Sequence, residues 1–277
     1  MSPRALRHSP DLTRGTPARA ARVPAFAVAT LAVATLAVAP LTACSTAAGN
    51  QAKEPTRHTV VVLAASSLTE PLTAISNDFE ASHPGTDVQL SFAASSTVVS
   101  QVNQGAPADL IALAGTSAMG PLEKGRIAKE GIRSMAANTL EIATPASNPG
   151  AVNALADLSR PTLKVVLCAA TVPCGKAAVT TLNAAGVVAH VVSYETDVRA
   201  TLAKVRLGEA DAAIVYHSDV VSAGSQVHGV QIPASVNHKL DYPLVQLNND
   251  PTTTAFMTYV LSDQGRKRLR DNGFLMP

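Results

Sequence analysis

The chain contains no tryptophan, and only 3% of its residues are aromatic. Hydrophobic residues still reach 47%, ample for a packed core, so the class is soluble and globular. Cysteine is scarce: there are three, and none stands in a C-x-x-C pair, which argues against a thioredoxin-type redox motif. No G-x-S-x-G elbow occurs, and neither doubled-serine segment, Ser66-Ser67 or Ser95-Ser96, has a histidine in its loop. An exported serine hydrolase using Ser67 or Ser95, the enzyme reading to weigh here, therefore lacks its base. The apolar run from Ala25 to Ala39 is about 15 residues, short of the roughly 20 needed to span a bilayer as a helix. No internal repeat is visible.

What is present begins with a leader. Arg4, Arg7, Arg14, Arg19 and Arg22 precede the uncharged run, and Pro40 closes it, the layout of a signal peptide. The next residues, Leu41-Thr42-Ala43-Cys44, resemble the lipobox of bacterial lipoproteins. That resemblance implies a signal peptide over 1–43, a lipid on Cys44 and an extracytoplasmic protein held at the cell membrane, with 44–57 as a flexible tether. The leader holds five of the 22 basic and one of the 20 acidic residues, leaving 17 and 19, a net charge of −2. No basic stripe remains, so nucleic acid is disfavoured as a partner. Cys168 and Cys174, facing an oxidising compartment with no metal-ligating neighbours, are expected to form a disulfide.

From Thr59 onward, short β-branched runs alternate with helical patterns, the signature of an α/β fold with mainly parallel strands. Strands are expected at 60–64, 87–92 and 109–113, with helices at 68–82 and 97–104. A second series opens near Thr139, with strands at 139–144, 164–167, 190–193 and 212–216 and helices at 176–185 and 198–207. A strand at 242–247 and a helical region at 251–271 follow. The expected division is one lobe of 58–138 with 241–277 and another of 139–240, crossed twice by the chain.

Four segments join a strand end to a helix start through small or polar residues: Ala65-Ser66-Ser67, Ala94-Ser95-Ser96, Pro173-Cys174-Gly175 and Glu195-Thr196-Asp197. Helix starts offer unpaired N–H groups and a partial positive charge, so each is an anion cradle in waiting. In open α/β sheets the ligand crevice lies beyond the carboxyl ends of the strands, where these segments must sit. The alternative is that Ser67, Ser95 and Asp197 merely cap their own helices. Lys176 and Arg199 lie just inside the helices, leaving neutral dipoles to hold the ligand. That favours a fully ionised oxyanion over a partly protonated phosphate.

Val62-Leu63-Ala64-Ala65-Ser66-Ser67-Leu68, Ser91-Phe92-Ala93-Ala94-Ser95-Ser96-Thr97, Gly105-Ala106-Pro107-Ala108-Asp109-Leu110, Asp197-Val198-Arg199 and Ile214-Val215-Tyr216-His217-Ser218-Asp219 resemble, in order, the motifs of molybdate-binding periplasmic proteins of ABC transporters. The resemblance implies a two-lobed type II periplasmic-binding-protein fold, with no cofactor and molybdate or tungstate as ligand. Sulfate or phosphate is the alternative ligand, and a membrane permease and a monomeric state are also implied. Ser67 and Ser95 are then ligand contacts from the first lobe. Backbone N–H groups of Cys174 and Val198, and the Tyr216 hydroxyl, are contacts from the second, so the oxyanion is held by hydrogen bonds with no side chain on the metal. The cysteines around 168–174 depart from the usual family pattern. Asp109 is expected to shape its loop without touching the ligand. His217 is expected either to face solvent or cap a helix, or to partner Tyr216.

Overall fold

The computed structural model describes residues 58–129 and 131–277. They form two five-stranded sheets flanked by helices. In the first sheet, β1 (His58–Ala65) lies parallel to β2 (Thr86–Ala93) on one side and β3 (Leu110–Ala112) on the other. A strand from the chain's end, β10 (Leu240–Gln246), runs antiparallel to β3 and to β4 (Ile132–Asn138), so the order is β2-β1-β3-β10-β4.

The second sheet repeats this plan. Here β6 (Val165–Cys168) lies parallel to β7 (Val191–Glu195) and β8 (Ala212–Tyr216), and β5 (Leu140–Pro145) runs antiparallel to β8 and β9 (Val227–Gln231). Each sheet is thus mixed, with parallel strands grouped on one side. The antiparallel strands are those next to the chain crossings: β4 passes to β5 through Thr139 alone, and the second crossing enters β10. Neither β4 nor β9 stood out in sequence. Both flank a crossing, where pairing with a distant strand decides the conformation.

Three inner parallel strands, Leu110–Ala112, Val165–Cys168 and Ala212–Tyr216, are buried at every position, which is why they read as continuous apolar runs, whereas the edge strands β2 and β7 are mostly part-exposed. Helix α1 (Thr69–Ser82) packs Leu72, Ile75 and Phe79 on the first sheet, the spacing expected of one helical face. Phe79 meets Phe256 edge-on, docking α6 (Pro251–Leu261) beside it. The C-terminal helical region breaks at Ser262, whose hydroxyl caps the start of α7 (Asp263–Asp271). Helices α2 (Ser95–Asn103), α3 (Pro173–Ala184), α4 (Val198–Arg206) and α5 (His217–Ala223) follow β2, β6, β7 and β8, and their N-termini position the site.

Candidate functional site

Ser67, Ser95, Cys174, Val198 and Tyr216 line one pocket, with about 210 Å³ of empty space among its lining atoms. Two come from segments on the first sheet and three from segments on the second, so the pocket lies between the sheets. Among the described residues no lysine, arginine or histidine lines it.

The serines are not helix caps. Ser67 sits inside a 3-10 turn, Ser66–Leu68, that leads into α1, and Ser95 is the first residue of α2. Their cap positions are Ala65 and Ala94, which carry no side-chain acceptor. The Ser95 hydroxyl accepts from the Ala114 N–H at 2.8 Å, which leaves its own proton free to donate. The Ser67 hydroxyl lies 3.0 Å from that of Tyr242.

On the second sheet the pattern is the same for α3, whose cap residue Val172 offers no acceptor. The helix starts earlier than its sequence pattern, so Pro173-Cys174-Gly175 is its first turn and not a connecting loop. Proline is suited to this place, since its missing N–H would be unpaired there in any case. Cys174 is disulfide-bonded to Cys168, the last residue of β6, which ties the helix start to the strand end.

Asp197, by contrast, is a true cap. Its Oδ1 accepts from the Arg199 and Ala200 N–H groups at 2.8 and 3.0 Å, leaving the Val198 N–H outside that cap. The one carboxylate that lines the pocket among the described residues is thereby committed to its own helix.

Tyr216 ends β8, is only 2% exposed, and its hydroxyl has no hydrogen-bond partner among the described residues. An unmatched buried hydroxyl costs about 1–3 kcal/mol. Burial first, then the nearby Tyr242 and Asp219, hold its pKa well above the usual tyrosine value. The group is therefore a neutral donor waiting for an acceptor. Together the pocket presents hydroxyls and helix-start N–H groups, a surface suited to a ligand whose oxygens only accept.

Behind Tyr216, Asp219 lies in the first turn of α5 and accepts from the Tyr216 N–H at 3.0 Å. Burial raises its pKa to about 7, against the lowering effect of that N–H and of Arg199. Because the folded value lies above the ordinary aspartate value of 3.8, the folded state holds the proton more tightly than the unfolded one. Stability therefore falls as pH rises from about 4 to about 7 and levels off above, a loss on the order of 4 kcal/mol. Asp219→Asn keeps an acceptor for Tyr216 and should flatten this decline. Melting curves from pH 5 to 8 check it, and parallel profiles for the two proteins would refute it.

Arg199 on α4 forms a 2.6 Å ion pair with Glu70 on α1, joining elements that pack on different sheets. Both side chains are about one-third exposed, so the pair contributes roughly 0.2–1 kcal/mol. Asp109 accepts from the Val61 N–H and from Asn248, a loop-shaping role as expected. His217 is neither a partner of Tyr216 nor a cap; its side chain is about one-third exposed, partly facing solvent, and its Nδ1 pairs with Glu141 of β5 at 2.5 Å. Asn138 and Tyr242 carried no sequence signal as site residues, since each acts through a contact made far along the chain.

Two sheets of one plan, crossed twice by the chain, with a neutral donor-lined pocket between them, define a two-lobed protein that captures a small solute. Residues 60–275 match the family described as bacterial extracellular solute-binding protein, and the chain belongs to that family. Among curated relatives, the molybdate-binding protein ModA of Mycobacterium tuberculosis is 37% identical over 221 residues, 79% of this chain and 85% of the relative. ModA of Escherichia coli is 30% identical over 228 residues, 78% of this chain and 88% of the relative. Among solved structures, the periplasmic molybdate-binding protein of Azotobacter vinelandii aligns with a TM-score of 0.70 at 17% identity, over 79% of this chain and 99% of that one. The sulfate-binding protein SubI of Mycobacterium tuberculosis aligns at 0.67 and 22% identity, over 78% and 86%. At these identities the structures establish the two-lobed periplasmic-binding-protein fold. The curated relatives are solute-binding proteins and not enzymes.

Proposed function

We propose that this protein captures molybdate in the pocket between its sheets, outside the cytoplasm, and delivers it to the membrane permease of an ABC importer. The observation that carries this reading is the Tyr216 hydroxyl, buried and unpartnered beside two serine hydroxyls and the helix starts at Cys174 and Val198. Such a set can surround a tetrahedral dianion with donors. It offers a ligand proton no free carboxylate, which disfavours hydrogen phosphate. The names of the curated relatives, at up to 37% identity, support molybdate over other oxyanions. Tungstate has nearly the same size and is expected to bind as well, whereas smaller sulfate would leave some donors too distant for good hydrogen bonds.

In this reading Ser67 and Ser95 contact the anion from a lobe of residues 58–138 with 241–277. Cys174, Val198 and Tyr216 contact it from a lobe of 139–240. Membership of β1–β4 and β10 in one sheet and β5–β9 in the other supports this division. Closure rotates the lobes about the two crossings, and the permease recognises the closed form. The protein works as a monomer without catalytic turnover. Cys44 and the tether lie outside the described residues; the Leu-Thr-Ala-Cys motif supports a lipid anchor there. Among the described residues no helix is long and apolar enough to cross a membrane.

A thermal-shift titration of the soluble domain against molybdate, tungstate, sulfate and phosphate tests the reading. A ligand at a thousandfold excess over its Kd stabilises the fold by about 4 kcal/mol. Large shifts with molybdate and tungstate alone are expected, and a response confined to sulfate or phosphate would move the substrate assignment.

A further inference from the structure

A buried polar chain runs from the crossings to the pocket and ends at Ser67. Asn138 is the last residue of β4, Tyr242 lies in β10, and Ser218 lies in α5; all three are fully buried. The Asn138 Oδ1 accepts from the Thr139 N–H at 3.0 Å. Its Nδ2, which can only donate, is thereby turned toward the Ser218 hydroxyl at 2.8 Å and the Tyr242 hydroxyl at 3.5 Å. An oxygen that receives a proton from Asn138 must send its own elsewhere; Tyr242 also has the Tyr216 hydroxyl nearby, and its hydrogen-bonded neighbour is the Ser67 hydroxyl at 3.0 Å. Ser67, accepting from Tyr242, has its proton left to direct into the pocket.

We propose that Tyr242 is a positioning residue that fixes Ser67 as a donor, so that Asn138, Tyr242 and Ser67 form one chain of hydrogen bonds pointing at the bound anion. The inference rests on the reading of the pocket as an oxyanion site. Donors aligned head to tail polarise one another, which strengthens the last bond in the chain. The alignment also shapes selectivity, because a Ser67 hydroxyl held as a donor does not turn to accept the proton of a protonated oxyanion. Burial keeps Tyr242 a neutral donor by pushing its pKa far above the tyrosine range.

The chain also explains why these groups sit at the crossings. Asn138 and Tyr242 lie on the two strands through which the chain passes between sheets, and Ser218 belongs to a helix of the second sheet. Closure and the orientation of the Ser67 proton thus share the same buried contacts.

The test is a double-mutant cycle read by calorimetric titration with sodium molybdate and, separately, sodium phosphate, with melting temperatures measured for each protein. Tyr242→Phe should weaken molybdate binding about tenfold, the order expected for degrading a hydrogen bond to a charged group. It should spare phosphate, so that the preference for molybdate narrows. In a Ser67→Ala background the same change should cost no further affinity, because its effect travels through Ser67. Losses that add in the double variant, or a Tyr242→Phe protein that binds both anions like the wild type, would overturn the proposal. A purely structural role would lower the melting temperature and weaken both anions in either background. The wild-type titration separates the two readings. Binding of sulfate in place of molybdate sinks the substrate assignment, and the cycle run on sulfate still decides the role of Tyr242. Binding of no oxyanion sinks both.

Discussion

Tyr216→Phe should lower molybdate affinity by roughly 10- to 100-fold while leaving the empty protein as stable as before or slightly more so. The two effects have opposite signs because the hydroxyl has opposite consequences in the two states. Without ligand it is buried with no partner, an unmatched donor that the fold carries at a cost. With ligand it becomes a neutral O–H donating to a charged oxygen, among the stronger hydrogen bonds a protein makes. Phenylalanine keeps the ring and its edge-on contact with Tyr242, whose centroid lies 6.0 Å away, so packing should survive. Calorimetric titration and paired melting curves with and without molybdate measure both quantities. An unchanged affinity would remove Tyr216 from the site.

Gly175→Ala should be more damaging still, to both fold and binding. A Cβ on Gly175 would lie 2.0 Å from the Ala169 carbonyl oxygen and 2.6 Å from that of Cys168. Both are backbone atoms of the segment bridged by the Cys168–Cys174 disulfide, so no flexible side chain can give way. The start of α3 must move, and with it the N–H groups at the pocket wall. Overpacking of this kind costs about 3 kcal/mol, which for a domain of this size lowers the melting temperature by roughly 6–12 °C. Molybdate should then restore less stability than it adds to the wild type, since one donor has shifted. Gly125→Ala serves as the control, because among the described residues nothing lies within 4 Å of the added carbon. If the Gly175→Ala protein melts and binds like that control, the close approach has no consequence.

Most of the fold was legible because it rests on local pattern. Continuous apolar runs read as buried strands, and Leu72, Ile75 and Phe79 recur on one helical face, since period and burial are linked at short range. The elements that went unread, β4, β9 and α5, are short, and β4 and β9 are stabilised by partners roughly 85 to 110 residues away in the chain. The site divides the same way. Doubled serines at strand ends marked Ser67 and Ser95 from composition and position, yet whether they capped their helices or faced a ligand was open. Their cap places are taken by alanine, whereas Asp197 caps α4, and only the backbone path shows which is which.

The sequence by itself determined the α/β class, the likeness to molybdate-binding proteins and the residue types at the pocket, because these depend on periodicity and on short motifs. The tertiary structure decided that the five residues meet across two sheets, that Tyr216 lacks a partner and that Tyr242 reaches Ser67 from 175 residues away. Contacts between residues so far apart depend on how the two crossings bring the sheets together, and no local pattern in the chain encodes that.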